Sequence, residues 1–294
     1  MTVGFIGTGN MGGALARAAA KSGLAERLLL ANRSPEKARR LAEELGGEAV
    51  DNRRAAAEAD FLFLGVKPQM LEGMLDGVRD VLDARQDRFV IVSMCAGKDL
   101  RALAALLGER PIVRIMPNIP VAVGGGVTLL CASPQVTEEE KARLRALLGA
   151  AGLVAELDEH QMDAASGVTG CGPAFAAMFV EALADGAVAC GLPRREAIRL
   201  AAQMMKGTAE LLLETGEHPG ALKDRVCSPA GSTIQGVRRL EESAFRAAVM
   251  NAVIATWEKE FYALPHGRGS FCFDRRGRAC PGPFLCGGGD KICS

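Results

Sequence analysis

Three glycines near the start of the chain are spaced to bind a phosphate group. In the segment GFIGTGNMGGA, Gly7, Gly9 and Gly12 follow a short apolar run and precede a helical pattern. Glycines at this spacing allow a tight turn, a close approach of phosphate to backbone amides, and close packing of a helix on a strand. Amides at the start of a helix also favour an anion. This order predicts a dinucleotide site rather than a purely structural turn, with contacts from Gly7, Thr8, Gly9, Asn10, Met11 and Gly12.

The end of the second predicted strand indicates which dinucleotide the site prefers. A site for NADH places an acidic side chain about twenty residues beyond the glycines, where it binds the ribose hydroxyls. Here the chain has Asn32, Arg33 and Ser34, and no acid. A guanidinium and a hydroxyl can bind the 2′-phosphate of NADPH, which a carboxylate would repel. The segment therefore predicts NADPH, with NADH as a second option, and the alternative for Arg33 is an ordinary solvent-facing cation.

Three further segments end predicted strands and fall at the same edge of the expected sheet, where doubly wound folds bind ligands. The segment GVKPQ (65–69) contains Lys67, which fits either a cofactor contact or a surface charge. The segment SMCAG (93–97) has small residues that would let a nicotinamide ring come close. In IMPNIP (115–120), Asn118 fits a polar site group or a turn former equally well.

A second segment rich in glycine and hydroxyl groups, CSPAGSTIQG (227–236), lies in the other half of the chain. Few groups suited to acid–base or nucleophilic catalysis accompany it. The chain has three histidines, His160, His218 and His266, without the spacing of a zinc site or a Ser-His-Asp arrangement. If hydride transfer occurs here, the substrate should need little help from a general base, as an already polarised C=N bond would.

The order of apolar runs and helical patterns predicts the fold that positions these residues. Predicted strands lie at 2–7, 27–32, 61–66, 88–94, 111–116, 126–132 and 153–157, and helical patterns separate most of them. This alternation predicts a doubly wound α/β domain with a largely parallel sheet over residues 1–158. Residues 159–262 show helical patterns throughout and predict a second, all-helical domain.

One predicted helix of the second domain, at 172–191, is apolar on nearly every face. A helix of this kind is expected to be buried on all sides. A domain as small as 159–262 can hardly surround it alone, so the sequence predicts a homo-oligomer. The charges of Glu181 and Asp185 argue for a buried helix rather than a membrane span.

The overall composition limits the classes of partner. Apolar residues make up 49% and charged residues 24%, which is typical of a globular protein with a large core. The 35 basic residues balance the 35 acidic ones, so no net charge attracts nucleic acid or a membrane surface. The absence of a basic-then-apolar leader and the scattered single cysteines before residue 230 predict a cytoplasmic location. Residues 263–294 are rich in glycine and cysteine and predict a disordered tail rather than a metal site.

The segment ALKDRVCSPAGSTIQGVRRLEE (221–242) resembles the signature of the Δ1-pyrroline-5-carboxylate reductase family. The segments VGFIGTGNMGGA, FLFLGVKPQ, VRIMPNIP and ASGVTGCGPAF agree with this family in the same order. The resemblance implies an N-terminal Rossmann-type doubly wound sheet followed by an all-helical dimerisation domain. It also implies a dimer, or a ring of dimers, that reduces 1-pyrroline-5-carboxylate to L-proline with NAD(P)H in the last step of proline biosynthesis.

The resemblance further implies roles for individual residues. Gly231, Ser232 and Thr233 match the loop that binds the carboxylate of the imine substrate, and the Thr233 hydroxyl matches the one beside the ring nitrogen. Cys171 stands where the family often has serine, a better hydrogen-bond donor, which argues against a direct substrate role for this residue. Besides the glycine segment, the residues that match cofactor contacts are Asn32, Arg33, Ser34, Asn52, Gly65, Val66, Lys67, Pro68, Cys95 and Ala96.

Two alternatives stand beside this interpretation. The first is another NADPH-dependent imine or β-hydroxyacid reductase, in which a lysine or aspartate of the second domain would act in catalysis. Lys206 is the lysine in the first long helices there, and its pattern favours a surface position. The second is a non-catalytic NADPH-binding protein, which the intact substrate loop disfavours.

Overall fold

The structure, a computed structural model, describes residues 1–262, with side chains up to residue 259. The predicted tail at 263–294, with Cys272, Cys280, Cys286 and Cys293, lies outside the described residues. The strands are β1 Thr2–Ile6, β2 Arg27–Ala31, β3 Glu48–Ala49, β4 Phe61–Leu64, β5 Val90–Ser93, β6 Ile112–Pro117, β7 Gly126–Ala132 and β8 Gly152–Glu156.

The strands form one sheet in the order β3-β2-β1-β4-β5-β6-β7-β8. Neighbouring strands are parallel except β6 and β7, which pair antiparallel with Val113 opposite Ala132. The predicted strands are all present, and the prediction of a doubly wound, largely parallel sheet is confirmed. The two-residue strand β3 was not predicted, since Glu48 and Ala49 form too short a segment to show an alternating pattern.

Helices cover both faces of the sheet, as the continuous apolar runs of its inner strands require. The residues of β1 alternate between the two cores: Val3 and Phe5 belong to the core on one face, whereas Ile6 belongs to the core on the other. The rings of Phe5 and Phe63 stack with their centroids 4.4 Å apart. These helices are α1 Asn10–Lys21, α2 Pro35–Leu45, α3 Asn52–Glu58, α4 Leu71–Asp76, α5 Arg79–Ala84, α6 Leu100–Leu107 and α7 Glu138–Leu148.

The remaining described residues form a helical region that follows β8. Its helices are α8 Met162–Thr169, α9 Gly172–Ala189, α10 Arg194–Thr215, α11 Pro219–Val226, α12 Ser232–Glu242 and α13 Phe245–Tyr262. Helix α9 packs along α10, and α8 packs along α13, where Gly167 lies close to Thr256. The sheet and the helical region together confirm the predicted fold class.

Helix α9 is largely exposed in the single chain, in line with the expectation that the small helical domain cannot surround it alone. Ala184 is its one buried residue. Met178 is 67% exposed. The chain therefore leaves an apolar helix uncovered, because the described part of the helical region packs on one side of it only. By length and composition alone, the stretch Glu159–Ala189 could cross a membrane.

A buried ion-pair cluster joins the sheet to the helical region. The side chain of Arg114 on β6 is 7% exposed and pairs with Glu159 and, at 3.4 Å, with Asp163 on α8. The Glu159 carboxylate also accepts a hydrogen bond from the Leu100 amide at 3.4 Å. Burial, followed by the neighbouring Glu159, raises the pKa of the Cys131 thiol to about 12, so this thiol stays neutral. The cluster fixes the start of α8 against the sheet.

Candidate functional site

The candidate site lies where the strand order reverses, between β1 and β4. The strand that follows β1 in sequence, β2, lies on one side of it, and β4 lies on the other side. In open α/β sheets such a reversal leaves a crevice at the carboxyl ends of the strands, and ligands bind there. Gly7 follows β1 and Gly65 follows β4. The Gly65 amide donates to the Ile6 carbonyl at 2.8 Å, and the Gly7 amide donates to the Ala31 carbonyl at 2.9 Å. The two turns therefore meet at the carboxyl edge of the sheet.

The glycines of the first turn are required by close backbone contacts. Gly7 has φ +101°, and a Cβ there would lie 2.5 Å from the Gly65 carbonyl oxygen. A Cβ at Gly12 would lie 2.1 Å from the Gly7 carbonyl oxygen, so helix α1 can start this close to the strand only with glycine. A Cβ at Gly9 would meet nothing within 4 Å. Gly9 caps α1 without a side-chain bond, and no acid lies in the first turn, so the amides there face open space suited to an anion.

A cleft of about 630 Å³ extends from this turn toward the end of β2. Among its lining residues there is no acid, and the cations there are Arg33, Lys37 and Lys67. The predicted cofactor residues that line it are Gly7, Gly9, Asn32, Arg33, Asn52, Gly65, Val66 and Lys67. Lys37, on the first turn of α2, was not among the predicted residues. Lys37 lies one helical turn beyond Arg33, and this spacing in the sequence could have indicated that both side chains face the same cleft.

Hydrogen bonds hold the polar end of β2 in place. The Asn32 side chain donates through Nδ2 to the buried Thr8 hydroxyl at 2.9 Å and accepts from the Ser34 amide at 3.2 Å. Ser34 precedes α2 as its N-cap residue, but its side chain makes no capping bond and is exposed. Asn32 therefore connects the glycine turn to the start of α2.

The residues predicted near the nicotinamide, Cys95 and Ala96, are not in the cleft lining, and they differ in exposure. Ala96 is exposed, whereas Cys95 is 2% exposed and its thiol donates to the Val66 carbonyl at 3.3 Å. Burial raises the pKa of the Cys95 thiol, so it remains protonated. Cys95 therefore supports the turn after β4 through its side chain. Pro68 begins a short 3-10 turn, Pro68–Met70, and Met70, Gly73 and Met74 line the same cleft.

The structure shows what Asn118 does. Its side chain is 8% exposed, donates through Nδ2 to the Thr169 carbonyl at 2.8 Å, and accepts through Oδ1 from the Val127 amide at 2.8 Å. These bonds tie β7 and the end of α8 to the end of β6. Asn118 is thus a structural link between the sheet and the joint of α8 and α9, rather than a simple turn former.

The predicted substrate loop, Gly231 to Thr233, forms the N-terminus of α12. The Gly231 amide donates to the Ser228 carbonyl at 3.0 Å, and Ala230 adopts a positive φ of 59°. Gly231 is the N-cap of α12, and Ser232 and Thr233 are exposed in its first turn, which contains no acid. Amides at a helix start that has no acid in its first turn can bind a small anion. The lining of the cofactor cleft does not include this loop, so the single chain does not bring the two parts together.

The other candidate catalytic groups, Lys206 and His218, do not line the cleft. The Lys206 side chain is 66% exposed and pairs with Glu210 one helical turn away at 3.4 Å, in agreement with the predicted surface position. The His218 ring caps α11 by accepting from the Gly220 amide at 3.0 Å. Within residues 1–262, no group of three or more His, Cys, Asp or Glu side chains is placed to hold a metal ion.

Comparison with known proteins decides the family. Residues 159–261 match the family model described as pyrroline-5-carboxylate reductase dimerisation, and residues 2–97 match the one described as NADP oxidoreductase, coenzyme F420-dependent. The chain is 41% identical over 261 residues to the pyrroline-5-carboxylate reductase of Escherichia coli K12, covering 87% of this chain and 96% of that protein. The chain belongs to the pyrroline-5-carboxylate reductase family.

Other members of the reductase family agree with this assignment. The pyrroline-5-carboxylate reductase of Arabidopsis thaliana is 39% identical, with 86% of this chain and 92% of that protein covered. The solved structure of the Coxiella burnetii enzyme has a TM-score of 0.82 at 30% identity, covering 88% of this chain and 97% of that one. The Plasmodium falciparum enzyme, solved with NADP bound, has a TM-score of 0.77 at 30% identity, with 88% and 97% covered.

Proposed function

We propose that this chain reduces the C=N bond of 1-pyrroline-5-carboxylate with NADPH and so forms L-proline, the last step of proline biosynthesis. The observation that carries the proposal is its 41% identity to a reductase of this name over 96% of that protein's length. Such a reaction needs a site for the cofactor and a site for the imine. The open cleft over the glycine turn would be the first, and the start of α12 with its two hydroxyls would be the second.

The cleft fits a phosphorylated dinucleotide. The uncapped amides at the start of α1 would hold the pyrophosphate, and the open space beside Gly9 leaves room for it. Asn52 would contact the adenosine, and Arg33 and Ser34 would contact the 2′-phosphate. The acid-free lining suits an anionic ligand along the whole cleft. Lys67, Pro68 and Ala96 would border the nicotinamide end.

Besides the cofactor, the chain must bind and orient the imine substrate. Amides at the start of α12 and the Ser232 hydroxyl would bind the substrate carboxylate. The Thr233 hydroxyl would accept the N–H of the protonated imine and so hold that proton at the ring nitrogen. When bound, NADPH supplies the hydride for the imine carbon. A protonated imine accepts hydride without a separate general base, so the site acts by alignment and exclusion of water.

We propose that the chain forms a homo-oligomer. The smallest assembly is a dimer, and a ring of dimers is the larger alternative. The exposed apolar face of α9 supports this, and so does the dimerisation family that residues 159–261 match. In this proposal the domain boundary follows residue 158, and a second copy covers α9 and brings a substrate loop to the cleft. Light scattering of the full chain should give a mass of two or more copies, and a monomer would contradict the proposal.

We also propose a cytoplasmic location without membrane insertion. The stretch Glu159–Ala189 is interrupted between α8 and α9, and the Met162 side chain near its start is buried against the sheet. Cell fractionation should place the protein in the supernatant, and recovery in salt-washed membranes would contradict this.

The activity itself is tested by adding 1-pyrroline-5-carboxylate to the full chain with NADPH. We expect the absorbance of the reduced nicotinamide to fall and one proline to form for each NADPH oxidised. A chain that binds NADPH but leaves the imine untouched would contradict the proposed reaction and favour the non-catalytic alternative.

The role of Arg33 predicts a change in cofactor preference. Replacing Arg33 by Asp should lower kcat/KM for NADPH at least tenfold relative to NADH, because a carboxylate repels the 2′-phosphate and can bind ribose hydroxyls. Steady-state kinetics with both cofactors measure the ratio, and Arg33→Lys is the control that keeps the charge. If Arg33→Asp retains the original NADPH preference, Arg33 does not contact the phosphate.

A further inference from the structure

Lys37 is a cation of the cofactor cleft to which the proposed function assigns no role. It is exposed on the first turn of α2 and lines the same cleft as Arg33, Asn32 and Asn52. Neither Lys37 nor Arg33 makes an ion pair with another described side chain. The acidic neighbour Glu36 pairs with Arg39 instead. Two uncompensated cations therefore face one acid-free cleft.

The position of Lys37 is unfavourable for the helix alone. The start of a helix carries a partial positive charge, so a lysine in the first turn is repelled there while an acid is attracted. Glu36 follows this preference and Lys37 opposes it. A bound phosphate would reverse the balance, because the helix start and the lysine would then both be attracted to the same anion.

A phosphate monoester needs more than one cation for charge compensation. Near neutral pH it carries about 1.5 to 2 negative charges and several acceptor oxygens, which a single guanidinium leaves partly unmatched. Arg33 precedes the N-cap of α2, and Lys37 follows it by one turn, so both lie beside the same end of the helix. Arg40, in contrast, is exposed on the same helix but does not line this cleft.

We propose that Lys37 is a second cation for the 2′-phosphate of NADPH, acting with Arg33, and thus a determinant of cofactor specificity. This inference rests on the proposed function, since it requires that NADPH occupies the cleft. Lys37 contributes to the affinity for the phosphate and leaves the adenosine contacts unchanged. The contact is exposed to solvent, so its contribution decreases as salt increases.

Calorimetric titration with two nucleotides tests the proposal without any turnover. Adenosine 2′,5′-bisphosphate and adenosine 5′-monophosphate differ only in the 2′-phosphate. For the full chain we expect Lys37→Ala to raise the Kd of the bisphosphate about tenfold and to leave the Kd of the monophosphate within about twofold. Lys37→Arg should restore most of the loss. Arg40→Ala, which removes a cation from the same helix outside the cleft, should change neither Kd by more than about twofold.

The possible outcomes separate the inference from the proposed function. If Lys37→Ala weakens the bisphosphate no more than Arg40→Ala does, or weakens both nucleotides equally, Lys37 is not a phosphate contact and the inference is wrong. If the unaltered chain binds the two nucleotides with equal affinity, the cleft does not recognise a 2′-phosphate, and the proposed use of NADPH fails with it. A selective loss of bisphosphate binding in Lys37→Ala supports both.

Discussion

Replacing Gly12 by Ala is expected to abolish measurable NADPH binding and to lower the free energy of unfolding. The new Cβ would lie 2.1 Å from the Gly7 carbonyl oxygen and 3.2 Å from its carbon, and both atoms belong to the backbone. Helix α1 or the glycine turn must therefore shift, at a cost of roughly 1–3 kcal/mol for an overpacked site. The shift displaces the amides that would hold the pyrophosphate. Fluorescence titration with NADPH and urea unfolding measure the two effects.

The neighbouring glycine provides a matched control. A Cβ at Gly13 would lie 3.4 Å from the end of the Arg17 side chain and 3.8 Å from the nearest atoms of Leu41 and Thr8, which are tolerable contacts. Alanine also has a higher helix propensity than glycine by about 0.8–1 kcal/mol. Gly13→Ala should thus bind NADPH normally and unfold at equal or higher urea concentration. Equal NADPH affinities for the two variants would show that the close approach at Gly12 does not matter for the cofactor.

Replacing Thr233 by Ala is expected to lower kcat about 10- to 100-fold while the Kd for NADPH stays within about twofold. A hydrogen bond to a charged partner contributes about 1.5–3 kcal/mol, and each 1.4 kcal/mol corresponds to tenfold in rate. Thr233 is exposed at the start of α12 and makes no part of the cofactor cleft lining, so its removal should leave the cleft intact. Stopped-flow kinetics and NADPH titration on the same preparation measure both quantities.

The control for Thr233 retains the hydroxyl. Thr233→Ser should keep kcat within a few-fold of the unaltered enzyme, because it keeps the oxygen that holds the imine proton. If the alanine and serine variants lose activity equally, the methyl group or the local helix start is responsible, and the hydroxyl has no role in turnover. If Thr233→Ala turns over normally, the proposed substrate loop is wrong.

Local sequence patterns were sufficient to predict the sheet and the glycine turn. The apolar runs of β1, β2 and β4 are short, continuous and bounded by glycine or polar residues, so their strand character depends on few neighbours. The requirement for Gly7 and Gly12 follows from one strand, one turn and one helix that are adjacent in sequence. For this reason the glycine positions that the turn requires could be predicted from the sequence.

Features that depend on contacts between distant segments were harder to predict. The role of Asn118 depends on Thr169, which is 51 residues away, and no pattern near Asn118 indicates that partner. Lys37 reaches the cleft only because α2 packs beside the end of β2, and the prediction considered the strand end alone. The composition of α9 and the small size of its domain predicted that a second copy covers it, but which surface of that copy does so depends on packing between chains, which a single sequence segment does not contain.

Following the hydride tests directly whether the chain reduces 1-pyrroline-5-carboxylate with NADPH. The full chain is incubated with 1-pyrroline-5-carboxylate and NADPH that carries deuterium on the transferable position of the nicotinamide, and the product is analysed by mass spectrometry and NMR. We expect L-proline with one deuterium at carbon 5 for each NADPH oxidised. NADPH oxidation without deuterium in proline, or no proline at all, would contradict the proposed reaction.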